Sequence, residues 1–199
     1  MDSDAWDARY ESVELVWSAE PNQFLVAEVA DLLPGRALDL ACGEGRNAIW
    51  LAEQGWEVTA IDFSPVALDK ARRLAEARGV LVTWRLADVV TDRLEPAAFD
   101  LVAVFYLQVS SASRRTAFAT AARAVAPGGT LLVVGHDTTN LIDGWGGPRD
   151  AAVLYSPEDV VADIGDLEIV KAERVERPVL TEDGPKTAID VLVRAIRPA

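Results

Sequence analysis

The stretch Arg36–Gly55, RALDLACGEGRNAIWLAEQG, constrains this chain more than any other. An apolar run, Ala37-Leu38-Asp39-Leu40-Ala41, has the length of a buried strand. Cys42-Gly43-Glu44-Gly45 follows, and Ala48, Ile49, Leu51 and Ala52 then mark a helix. Strand, glycine turn and helix in that order bring free backbone N–H groups and the positive end of a helix dipole to one spot. Gly43 and Gly45 are expected where a ligand's atoms approach the backbone too closely for a Cβ. The stretch therefore reads as a cofactor loop.

Two cofactors compete for it. Gly43-x-Gly45-x-x-Ala48 satisfies the loose G-x-G-x-x-A pattern of dinucleotide binding. Asp39 argues against that, because a carboxylate ending an apolar strand repels a pyrophosphate and suits a ligand carrying an ammonium group. The segment Leu38-Asp39-Leu40-Ala41-Cys42-Gly43-Glu44-Gly45 resembles the first motif of class I S-adenosylmethionine-dependent methyltransferases, and the later motifs follow in order.

At 199 residues, half of them apolar, the chain has enough material for one domain with a buried core. No apolar run reaches the roughly 18–20 residues of a membrane span. The N-terminal MDSDAWDARYESVE is polar and acidic, unlike a signal peptide. The single cysteine, Cys42, allows no internal disulfide, and in a glycine turn it suits a small packed residue better than a nucleophile. These features predict a soluble cytoplasmic protein. A net charge of −13, from 19 basic and 32 acidic residues, disfavours nucleic acid as a partner. The clusters Lys70-Ala71-Arg72-Arg73 and Arg114-Arg115 read as solvated helix faces. The composition leaves a small molecule as the partner class, with no membrane.

Along the chain, Trp6, Tyr10, Val13 and Trp17 share one face of a predicted helix, either a lid over a site or a stripe packed on the sheet. Pro21 opens a second helix through Phe24, Leu25, Val29 and Leu32, so residues 1–34 are expected to form a helical lid or cap. A second strand, Trp56–Ile61, ends in Asp62. That residue lies 17 positions past Gly45, near the roughly 20-residue offset of a carboxylate that accepts from a ribose diol. NAD and S-adenosylmethionine both carry that diol. Phe63 is placed to pack on an adenine face, and Ser64-Pro65 starts a helix running to Gly79.

The third strand is expected over Val80–Leu86 and the fourth over Phe99–Phe105, leading into Tyr106 and Gln108. Open α/β sheets bind ligands beyond such strand ends. A helix carrying Phe118, Ala121, Ala122 and Val125 stops at Pro127-Gly128-Gly129, and a fifth strand, Thr130–Val134, ends in Gly135-His136-Asp137. The only histidine, His136, beside Asp137, is either a base at the site edge or a structural residue. Tyr106 is the second catalytic candidate, and it reads equally as a core residue with its hydroxyl at the rim. The irregular Thr138–Asp150 around Trp145 is a natural flap on the acceptor side. Ser156-Pro157-Glu158-Asp159 caps a short helix, Pro157–Ile164. Strands Leu167–Val175 and Thr187–Ile196 are joined through the turn-rich Thr181–Pro185.

The fold implied is α/β: a doubly wound, mostly parallel seven-stranded sheet with helices on both faces and a C-terminal antiparallel hairpin, in one domain over 1–199. That ending again favours the class I methyltransferase fold over a plain dinucleotide domain. Ala126-Pro127-Gly128-Gly129-Thr130 is a further methyltransferase resemblance. The extension Arg46-Asn47, with Trp6-Asp7-x-Arg9-Tyr10 and Thr181-Glu182-Asp183-Gly184, resembles the small-molecule branch of tellurite-resistance and thiopurine methyltransferases. The acidic Thr181–Pro185 departs from that branch, in which a histidine or arginine is looked for in the hairpin loop.

The resemblance implies S-adenosylmethionine as cofactor, S-adenosylhomocysteine as product, and no metal. It assigns cofactor binding to Asp39, Gly43, Gly45, Arg46, Asn47, Asp62, Phe63, Asp88, Val89 and Phe105. Within that set Asp88 accepts from the adenine amino group and the Val89 backbone N–H faces the base. Arg9 would reach the cofactor carboxylate, and the reactive methyl would lie near Phe105, Tyr106 and Gln108. The acceptor is a thiol, chalcogen, hydroxyl or amine, and the harder nucleophiles would need His136, with Asp137, as base. Two other readings remain: a nicotinamide-dependent oxidoreductase, and a protein that binds S-adenosylmethionine without catalysis.

Overall fold

The computed structural model describes residues 3–16 and 18–199. Seven strands occur: β1 (Arg36–Leu40), β2 (Glu57–Asp62), β3 (Thr83–Leu86), β4 (Phe99–Phe105), β5 (Val125–His136), β6 (Glu168–Thr181) and β7 (Gly184–Ile196). The helices are α1 (Ser3–Glu11), α2 (Gln23–Val29), α3 (Arg46–Glu53), α4 (Pro65–Arg78), α5 (Ser111–Ala124), α6 (Asn140–Asp143) and α7 (Pro157–Asp163). The strands form one sheet in the order β3-β2-β1-β4-β5-β7-β6. The first five are parallel, and β7 runs antiparallel to both β5 and β6. Among the described residues no helix is long and apolar enough to cross a membrane.

The central strands are apolar on both faces because helices cover both. Leu38, Leu40, Val102, Val104, Leu131 and Val133 pack into one cluster with Phe118 and Val160, on the α5 and α7 side. Ala37, Leu101, Ala103 and Leu132 alternate with them and pack with Leu25, Ala48 and Leu51, on the α2 and α3 side. Strand periodicity therefore puts Asp39 on the α3 face, next to the glycine loop. The winding direction reverses between β1 and β4, which opens the crevice where such sheets bind ligands.

Several boundaries differ from expectation. The α1 helix ends at Glu11, so Val13 lies outside it and half exposed, and Trp17 falls outside the described residues. The third strand is only Thr83–Leu86, since nothing covers Leu81. The glycine turn Pro127-Gly128-Gly129 is taken up in β5 as a register shift: Phe99 pairs with Val125, and Leu101 with Thr130. The hairpin is longer and tighter than predicted, with pairing from Glu168↔Ile196 out to Thr181↔Gly184, interrupted only by a register shift between Ile169 and Lys171. Pro178 does not break it, because β6 is an edge strand and a proline there loses no ladder bond.

Candidate active site

A cavity opens beyond the C-terminal ends of β1, β2 and β4. Asp39, Gly43, Arg46, Asn47, Asp62, Phe63, Phe105 and Tyr106 all line it. Trp6 and Tyr10 of α1 close its outer side, with Leu15 and Ser18 from the segment that follows. That segment is tied down by polar contacts. Lys70 Nζ donates to the Val13 carbonyl at 2.6 Å and pairs with Glu44 at 3.2 Å. The Glu44 carboxylate in turn accepts the Val16 N–H at 3.0 and 3.1 Å. Ser64 hydrogen-bonds the Asp7 carboxylate, and the Trp6 and Tyr10 rings stack with centroids 5.6 Å apart.

Asp39 is 1% exposed, and its Oδ2 has no hydrogen-bond partner among the described residues. Burial, then the neighbouring Asp62 charge, pushes its carboxyl up to about 7, while the Ala48 N–H works the other way. A buried carboxylate left unsatisfied at a cavity wall is a place prepared for a cation. Asp62 is better provided for: one oxygen accepts the Gly43 N–H at 2.8 Å and the other the Ser64 N–H at 2.9 Å. Burial still raises its carboxyl above the ordinary value. Arg46 makes no hydrogen bond or ion pair among the described residues, and burial lowers its guanidinium pKa. Asn47 turns its amide oxygen to the Asn22 N–H at 2.9 Å and so fixes the start of α2. The Cys42 thiol is pushed well up by burial and by Asp39, which suits a packed residue and not a thiolate nucleophile.

The two loop glycines serve different ends. A Cβ on Gly43 would stand 2.9 Å from the Tyr10 hydroxyl, at the cavity wall. Gly45 is not in that wall. It has φ +79, and a Cβ there would come within 2.5 Å of the Trp84 ring and 2.9 Å of Ala71. The sequence expectation of a ligand-approach glycine is thus corrected at Gly45: the Trp84 ring holds the space. Gly45→Ala is expected to destabilise the protein by about 2–3 kcal/mol, from left-handed strain plus overpacking. A denaturant titration matching wild type would remove this account.

Asp88 and Val89 also stand apart from the cavity. The Asp88 carboxylate accepts the Val90 N–H at 2.8 Å and closes its own turn, and the Val89 side chain is buried in the core. Turn closure, not an open cavity wall, occupies this acid in the structure.

On the far side of Tyr106 lies a buried polar cluster. Tyr106 has φ +53, uncommon outside glycine. Its hydroxyl donates to Asp190 Oδ2 at 2.8 Å and accepts from Asn22 Nδ2 at 3.3 Å. Burial and the Asp190 charge raise its pKa. His136 Nδ1 lies 3.1 Å from Asp190 Oδ1, its cross-strand partner in the β5–β7 ladder. Arg177 Nε donates to Asp190 Oδ2 at 2.6 Å. Burial works to raise Asp190, but the bonds from His136 and Arg177 outweigh it and hold the carboxyl below its usual range. The Tyr106 ring lies 4.8 Å from the imidazole, and the Gly147 backbone packs against the same ring.

This corrects the proposed partnership of His136 with Asp137. Asp137 is fully buried and engaged elsewhere, accepting from the Thr139 N–H at 2.8 Å and from Arg174 Nε at 2.9 Å. Adjacent residues on a strand face opposite ways, so Asp137 cannot share the imidazole's side. Asp190, Arg177 and Asn22 were missed. Asp190 had a signal, a lone carboxylate inside the apolar run Ala188–Val193, the same signal that marked Asp39.

With this geometry in view, the methyltransferase-domain family matches residues 37–129. The whole fold aligns with a solved structure from work on the conversion of a disulfide bond into a thioacetal group during echinomycin biosynthesis. The TM-score there is 0.80 at 23% identity, covering 98% of this chain and 91% of that one. Residues 37–129 match a methyltransferase domain, and the fold is that of the class I methyltransferases. S-adenosylmethionine is the cofactor that goes with such a domain. The N-methyltransferase NodS of Bradyrhizobium japonicum, solved with S-adenosylhomocysteine, aligns at TM-score 0.71 and 20% identity over 100% of both chains. In sequence, the methyltransferase domain is similar to demethylmenaquinone methyltransferase of Thermus thermophilus, 41% identical over 103 residues, covering 51% of this chain and 47% of that protein. Further relatives are named as ubiquinone-biosynthesis O-methyltransferase and as tRNA methyltransferases. The chain spans about half the length of the curated relatives it matches.

Proposed function

We propose that the protein transfers the methyl group of S-adenosylmethionine to a small-molecule acceptor and releases S-adenosylhomocysteine. The observation that carries this is the unpaired, buried Oδ2 of Asp39 in a cavity whose other wall bears Asp62 and Phe63. A cationic ligand satisfies that oxygen, and a pyrophosphate does not. On this reading Asp62 accepts from the ribose diol, Phe63 packs on the base, and Arg46 meets the cofactor's carboxylate. When bound, the cofactor supplies a methyl group already activated on a sulfonium, so the protein's work is positioning.

The α1 helix with residues 12–34 serves as the cap, Tyr106 and Gln108 separate cofactor from acceptor, and His136 handles a proton. With its Nδ1 proton directed at Asp190, His136 has the Nε2 lone pair left to take a proton from a hydroxyl or amine. A thiolate acceptor needs only orientation. The net charge of −13 supports a small acceptor over tRNA.

Calorimetric titration with S-adenosylmethionine, S-adenosylhomocysteine and NAD tests the cofactor. Micromolar binding of the first two, lost in Asp62→Ala, is the expected result, and binding of NAD alone would promote an oxidoreductase. His136→Ala is expected to slow a hydroxyl or amine acceptor by about 100-fold. Unchanged turnover there rules the base out.

A further inference from the structure

A second cavity adjoins the first beyond Gln108, between residues 145–150 and β6, and its charge is opposite to that of the molecule. The chain is strongly acidic overall, yet Arg9, Arg149 and Arg177 line this space beside the His136 imidazole. At its edge the Lys186 ammonium sits 5.9 Å from the Trp145 ring centroid. Two carboxylates offset part of that charge. Asp150 lines the cavity and accepts the Ala152 N–H at 2.9 Å. Asp190 lies behind the wall, fully buried and bonded to Tyr106, His136 and Arg177. Arg149 is exposed and makes no hydrogen bond or ion pair among the described residues. Trp145 is 44% exposed and offers a flat apolar surface beside these cations.

Three guanidiniums against the Asp150 and Asp190 carboxylates leave the recess net positive, and in an acidic protein nothing in composition alone places them together. An anion entering the recess balances that charge and gains charge-assisted hydrogen bonds from the guanidinium forks. We propose that this cavity is the acceptor subsite and that it selects a small planar molecule carrying an oxyanion, a carboxylate or phosphate. Arg149 and Arg177 hold the anionic group, Trp145 packs on the plane, and Arg9 of the cap stands at the rim. Calling the bound molecule an acceptor rests on the methyltransferase reading above. The anion site itself rests on the cavity.

The test is calorimetry at low salt on protein saturated with S-adenosylhomocysteine, using benzoate, phenyl phosphate and the neutral benzyl alcohol as probes. At least one anion is expected to bind, about tenfold or more tighter than the alcohol, and to weaken as salt is added. The better anion identifies the group selected. Arg149→Glu is expected to weaken anion binding by about tenfold, from the reversed charge at the rim. Arg115→Glu, the same charge change on exposed α5, is expected to leave it unchanged. Anions that bind no better than the alcohol, or that bind Arg149→Glu as they bind wild type, overturn the proposal. Both variants keep their affinity for S-adenosylhomocysteine. If wild type fails to bind S-adenosylhomocysteine, the cofactor reading falls, and the anion titration of the free protein still decides the cavity's chemistry.

Discussion

Asp39→Asn is expected to melt at a higher temperature than wild type while losing the cofactor. The Asp39 carboxylate is buried with one oxygen unsatisfied among the described residues, and its pKa stands at about 7 against 3.8 for the free side chain. A group that holds its proton more tightly when folded favours the native state at low pH. Stability is therefore lost as pH rises from about 4 to about 7. At one pKa unit per 1.36 kcal/mol, the cost above pH 7 is on the order of 4 kcal/mol. Asparagine removes that charge, so the mutant's advantage in melting temperature should be small near pH 4 and grow to about 8–16 °C at pH 8.

Binding responds with the opposite sign. A cationic ligand needs the carboxylate ionised, so wild-type affinity for S-adenosylmethionine should fall as pH drops below about 7. The mutant should bind at least about 30-fold more weakly at pH 8. Thermal melts and calorimetry at three pH values check both limbs. A mutant that melts below wild type at pH 8, or binds as wild type does, would falsify the assignment of Asp39 as a cation site.

Asp190→Ala is expected to be the most destabilising change in the polar cluster behind Tyr106. Its carboxylate is fully buried and is the shared partner of the Tyr106 hydroxyl, His136 Nδ1 and Arg177 Nε. Truncation leaves all three without that partner, and breaking a buried ion pair costs about 3–5 kcal/mol. A fall in melting temperature of about 10 °C follows. Because the folded state holds this carboxyl below its usual range, its contribution is present above about pH 4 and fades as pH falls through the depressed value. The gap between mutant and wild type should therefore narrow in acid. Asp190→Asn keeps the shape and one acceptor oxygen, so it should fold better than Asp190→Ala yet still lose the orientation of His136. An alanine variant that melts with wild type would sink the network as a structural unit.

The fold was legible because its signals are local. Alternation of apolar and polar residues marked the strands, and Ser64-Pro65 and Ser156-Pro157 marked helix starts. In the structure Ser64 Oγ accepts the Ala67 N–H at 3.0 Å and Ser156 closes a capping box with Asp159. The grouping of the first cavity's lining was legible for the same reason, since Asp39, Gly43, Arg46, Asn47, Asp62 and Phe63 flank two adjacent parallel strands within one short span of chain. Gly45 shows the limit of local reading. Its lack of a side chain was noticed and its cause was not, because Trp84 comes from a different strand.

The Asp190 cluster and the second cavity depended on contacts that no local pattern encodes. Whether His136 meets Asp137 or Asp190 turns on the antiparallel register of β5 against β7, which pairs residues 54 positions apart. One step of slip would turn Asp190 to the other face. The second cavity draws Arg9 from α1, Arg149 from the flap and Arg177 from the hairpin, segments spread over most of the chain. Side-chain periodicity and capping act over a few residues, so the order of strands and the glycine loop can be read directly from the letters. Charge clustering in a recess acts through space, and only packing of the sheet, cap and hairpin brings those cations together.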